Sequence, residues 1–134
     1  MLSVAFYTLA FPTQPEGDHV FCNGQPGSAI ARWLQSEMAN RGFAAGEPLQ
    51  EDYGWGIWLD SPTPIWVAVS YVDGEDEEDP DAPSWVVSVS HEVSLFAPGQ
   101  WFRRREGREL SQKVFDTIQN ALRERGDIAL EDKQ

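Results

Sequence analysis

Few residues of this chain could carry chemistry, and they are scattered. His19 and Cys22 stand three positions apart. A His-x-x-Cys pair offers two kinds of zinc ligand at a usable spacing. Completing such a site would need Asp18 or another carboxylate together with His91. The same cysteine beside His91 would make a nucleophile and its base, since a neighbouring imidazole draws off the thiol proton. The chain holds one cysteine and two histidines in all, and Cys22 sits in no local signature of a catalytic thiol. A small enzyme or a metal- or ligand-binding domain with its site near His19, Cys22 and His91 is therefore the second reading. No catalytic residue, metal or cofactor is assigned from sequence.

Carboxylates give no stronger lead. Glu51 and Asp52 are adjacent, and on one strand they would point to opposite sides, so they cannot both line a site. Glu92 stands alone on its face. There is no P-loop, no G-x-G-x-x-G and no G-x-S-x-G.

The most distinctive stretch is Glu51-Asp52-Tyr53-Gly54-Trp55-Gly56-Ile57-Trp58. Two glycines on one face of a strand leave a shallow trough. Either that trough meets solvent or a partner, or the glycines let a helix or an aromatic ring pack closely or mark a bulge. With the helix ending in Arg41-Gly42, the stretch resembles small uncharacterised bacterial proteins that carry an E-D-aromatic-G-W strand. That resemblance covers about residues 26–72 and implies no function. The chain has six tryptophans. Trp58 and Trp66 fall on candidate open positions of the sheet, where exposed aromatics mark interfaces.

Charge is the broadest functional clue. The net charge is −12. Residues 1–102 hold 15 acids against two bases, Arg32 and Arg41. Residues 103–134 are near neutral, with eight bases and seven acids. Such a balance repels nucleic acid and anionic membrane. Seven of the acids lie in residues 73–83, a Pro-containing segment that reads as a solvated hairpin loop without the ligand spacing of a calcium loop. Glu75, Asp76, Glu77 and Glu78 are its densest part and would steer a basic protein. Arg103, Arg104, Arg105 and Arg108 form the basic cluster, placed before the last helix and available to the acidic loop of the same or a second copy.

The elements that must position these residues follow from periodicity. Residues 2–11 are apolar on both alternating sets and read as a strand. Pro26 to Arg41 reads as a helix with Ile30, Trp33, Leu34 and Met38 on one stripe, closed by a glycine cap at Gly42. Strands are expected at about Leu49–Leu59, Ile65–Val72 and Ser84–Val93. A second helix is expected at about Gly107–Arg125, with Leu110, Val114, Ile118 and Leu122 at a spacing of four. Ile128–Leu130 would be a short extra strand or frayed. The N-terminal residues lack a charged leader and span too little to cross a bilayer, and with one cysteine this favours the cytoplasm.

The expected architecture is an α/β (α+β) two-layer sandwich of one domain. Its order is β-α-β-β-β-α, with a mostly antiparallel four-stranded sheet and two helices on one face. If the strands flanking the first helix lay parallel, they would form a right-handed crossover. The expected function is a non-enzymatic acidic protein-binding domain, an inhibitor of the immunity type, engaging a basic protein or a second copy of itself.

Overall fold

The computed structural model describes residues 1–12, 26–59, 64–72, 84–91 and 104–130. The elements are β1 (Leu2–Thr8), α1 (Ser28–Asn40), β2 (Leu49–Glu51), β3 (Gly54–Leu59), β4 (Ile65–Val72), β5 (Ser84–His91), α2 (Arg104–Glu124) and β6 (Ile128–Leu130). The sheet has six strands in the order β2-β3-β4-β5-β1-β6, and every neighbouring pair is antiparallel.

Three expectations change. The sheet has six strands, not four, and the order is β-α-β-β-β-β-α-β. The first strand is not the partner of the strand after α1. It lies between β5 and β6, so no parallel crossover forms. The stretch 49–59 is a hairpin and not one strand. Glu51 pairs with Gly54 across the two-residue turn Asp52-Tyr53, and Gly54 takes a φ of 151°. A side chain there would drive its Cβ to 2.2 Å from the Val69 carbonyl oxygen. The optional strand at Ile128–Leu130 is real and pairs with Phe6–Thr8.

Strand alternation decides which residues meet the helices. Val4 and Phe6, Trp55, Ile57 and Leu59, Ile65, Val67 and Val69, and Trp85, Val87 and Val89 are all buried. Register places them side by side on one face. They share a single core with Ile30, Leu34 and Met38 of α1 and Val114, Phe115, Ile118 and Leu122 of α2. The two helices therefore cover the same face, as the helical stripes require.

The end of α1 follows the glycine-cap expectation bond by bond. Gly42 has φ 99°, its N–H donates to the Ala39 carbonyl, and the Phe43 N–H donates to the Met38 carbonyl at 2.9 Å. Phe43 then folds back onto the core. Arg41, the cap residue, donates to Glu37 of its own helix and to Glu124 at the end of α2. The two carboxylates, Glu124 foremost, push its guanidinium pKa up. Arg105 and Arg108 do not precede α2, as expected from sequence, but lie in its first turns. Arg105 pairs with Glu109 one turn on.

Arg125 joins three parts of the fold. Its guanidinium carbon sits 4.8 Å from the Phe11 ring centre and 4.9 Å from that of Trp33. Its Nε and Nη2 both donate to Asp127, each at 2.9 Å. The Asp127 carbonyl in turn accepts from the Thr8 hydroxyl at 2.8 Å. The residues after β1, the face of α1 and the α2–β6 turn are thus held around one cation.

Hydrogen bonding from Arg125 holds the Asp127 carboxyl below its ordinary value of 3.8. A depressed carboxyl stabilises the fold above its unfolded pKa, and that contribution disappears as pH falls through the folded value. Asp127→Asn should therefore lower the urea midpoint at pH 7 but lose that difference in strong acid. Arg125→Lys keeps the charge but loses the planar fork and stack, and it should cost about 1 kcal/mol in the same measurement.

Candidate functional site

The hairpin at residues 49–59 sets the open face of the sheet. Had 49–59 been one strand, Leu49 and Tyr53 would share a face with Trp55, Ile57 and Leu59. The two-residue turn inverts that parity. Leu49 pairs with Gly56 and Glu51 with Gly54, so Leu49 stands on the face away from the helices. Trp58 and Trp66 are directly opposed on the same face. Leu49, Tyr53 and Trp58 are 46%, 43% and 42% exposed, well above what a core would leave.

Four side chains make the patch. The Trp58 and Trp66 rings lie 4.6 Å apart, tilted by 50°. The Trp66 indole N–H donates to the Tyr53 hydroxyl at 2.7 Å. Trp66 lies across Gly56, where a Cβ would come within 1.8 Å of its ring. The glycine trough is therefore not empty. It is filled by an aromatic ring, the packing alternative considered for these glycines, and what meets solvent is the layer above it. Leu49 completes the patch at the sheet edge.

The patch is free of positive charge. No strand of the sheet contains a lysine or arginine. The bases among the described residues lie on α1, on α2 and at Arg41 and Arg125 that follow them, on the opposite layer. Trp58 and Trp66 fall where the sequence pattern put them. Glu75, Asp76, Glu77 and Glu78 lie outside the described residues. Tyr53 and Leu49 were not legible as site residues, because only the turn at Asp52-Tyr53 brings them there. The Glu-Asp-aromatic-Gly run was the available signal for that turn.

His91 is the one member of the second reading that can be placed, since His19 and Cys22 lie outside the described residues. It stands at the end of β5 on the helix face, with its ring packed against Gly107 of α2. Among the described residues no three His, Cys, Asp or Glu side chains gather as metal ligands would. His91 instead borders a cleft of about 640 Å³ between β1, β5 and α2.

Gly56→Ala should displace Trp66 from its seat. Overpacking of this kind costs about 1–3 kcal/mol, read as a lower denaturation midpoint. Tryptophan emission should shift to the red at the same time as the Trp58–Trp66 pair opens. A variant with unchanged stability and emission would show that the ring does not depend on Gly56.

Comparison with protein-family models, with curated proteins and with solved structures finds no match to this chain, so its site is read from chemistry alone.

Proposed function

We propose that this chain is a non-enzymatic binding domain that takes a basic protein on the open face of its sheet. The observation that carries this reading is the exposed Tyr53–Trp58–Trp66 cluster on a sheet whose strands hold no lysine or arginine. Aromatic faces attract arginine and lysine, by about 0.5–2 kcal/mol for each well-placed cation. The net charge of −12 brings such a partner in by long-range attraction. Aromatic anchors then supply the short-range hold.

In this reading Glu75, Asp76, Glu77 and Glu78 steer the approach, while Trp58 and Trp66 anchor the complex. An inhibitor of the immunity type, which covers the working surface of a basic toxin, would use such a division of labour. A homodimer across the same face is disfavoured, because two copies would each bring a charge of −12 and neither a basic strand residue.

The test begins by retaining basic proteins of the source cell on the immobilised chain at low salt, then repeating the binding with the purified partner. Trp58→Ala should weaken that complex about 30-fold or more, as loss of an anchoring residue does. Lysine at positions 75–78 should slow association and flatten its salt dependence with little change in dissociation. A partner that binds the Trp58→Ala and Trp66→Ala variants as tightly as wild type overturns the reading. So does a chain that retains no basic protein at low salt, or one that runs as a dimer through this face.

A further inference from the structure

The cleft between β1, β5 and α2 is built differently from the rest of this molecule. In a chain with 22 acids, none of the described residues lining it is a carboxylate. Arg108, Ser111 and Gln112 reach it from one side, spaced so that they share a face of α2. His91 and Ser90 border it from β5, and Leu2 and Val89 give it an apolar wall.

Two polar atoms at this cleft have no hydrogen-bond partner among the described residues. Ser111 is only 6% exposed, and its Oγ makes no hydrogen bond. The His91 Nε2 is also buried and unbonded. A buried donor without an acceptor loses its hydration for nothing, so two in one place call for an explanation. They do not serve each other, and a serine–histidine nucleophile pair requires that mutual bond. Gly107 explains how the histidine is held. A Cβ there would stand 2.2 Å from the His91 Nδ1, so only glycine lets the ring lie against the helix. Arg108 is exposed and makes no ion pair with a described residue. The Gln112 amide donates one N–H to Asp116 at 2.9 Å, which ties it to its own helix, whereas Arg108, Ser111 and His91 offer donors with no partner among the described residues.

We infer that this cleft binds a small organic oxyanion, its charged head held by the exposed Arg108 and by Ser111 and the Nε2–H tautomer of His91 as these buried side chains turn to meet it, with its apolar body against Leu2 and Val89. The volume of about 640 Å³ suits a small molecule of this kind. Carboxylate and phosphate heads share the chemistry that these donors recognise. The site lies on the helix side of the sheet, so it stands or falls apart from the open-face reading.

Octanoate, octanol and inorganic phosphate serve as probes, followed by calorimetry and thermal melting of the full chain. Octanoate should bind and raise the melting temperature, octanol should not, and phosphate should bind more weakly for want of the apolar wall. Arg108→Gln should weaken octanoate about tenfold while leaving the unliganded melting point unchanged, since the side chain is exposed. Ser111→Ala removes a buried unpaired hydroxyl. It should melt no lower than wild type and yet bind octanoate several-fold more weakly, a split that a purely structural serine would not produce. Equal binding of octanoate and octanol, no binding of octanoate, or full affinity in both variants overturns the proposal. Phosphate binding as tight as octanoate overturns the role of the apolar wall.

Discussion

Both helices press on the same face of the sheet, and the strands from β1 to β5 are ordered by that constraint. One alternating set of β1, β3, β4 and β5 is committed to the shared core, from Phe6 and Trp85 in the middle to Ile57 and Ile65 toward the β2 edge. Among the described residues the other set has no second helical layer to cover it. The molecule shields part of that face with its own tryptophans, and Gly56 exists so that Trp66 can lie flat enough to do so. The same absence of a second layer leaves Trp58 and Tyr53 half in solvent. Core packing and the candidate interface are thus two results of one layer arrangement.

Charge is sorted along the same division. The helices and the residues that end them carry the arginines, and they use them locally. Arg41 ties the ends of α1 and α2 together, Arg105 pairs within its helix, and Arg125 rests against two touching rings and is forked to Asp127. The strands of the sheet contribute no lysine or arginine. A basic partner approaching the open face would therefore meet little local repulsion, whereas the helical layer presents a mixed surface that favours no sign.

Much of this was legible in the residues. Period-four spacing gave α2, the Ile30–Leu34–Met38 stripe gave the buried face of α1, and Arg41-Gly42-Phe43 gave its cap. Alternation along Ser84–His91 separates the buried Trp85, Val87 and Val89 from the set between them. What escaped was non-local. Nothing in β1 states that its neighbours are β5 and β6, because pairing is settled by which faces can share a core. The hairpin at Asp52-Tyr53 escaped because the aromatic and apolar residues on both sides of it read as one continuous strand, although Asp52 and Gly54 are turn formers. That one turn changed the parity of Leu49 and Tyr53 and so the membership of the patch. The unpartnered Ser111 and His91 atoms had no signature either, since a serine on a helix is ordinary until its surroundings are known.

The β2 edge has a consequence for how anything can bind beside it. β2 is three residues long. Beyond it, the flank of β3 is closed by the bridge between Ala45 and Leu59 and by the Gly46 N–H donating to the Trp58 carbonyl at 2.9 Å. A peptide arriving at this corner finds only the three-residue edge of β2 to extend, too short for a stable seventh strand. It must lie over the sheet and be recognised by its side chains. A surface of that kind selects for sequence, where a bare strand edge accepts almost any extended chain, and it also keeps a patch of exposed tryptophan from seeding fibres.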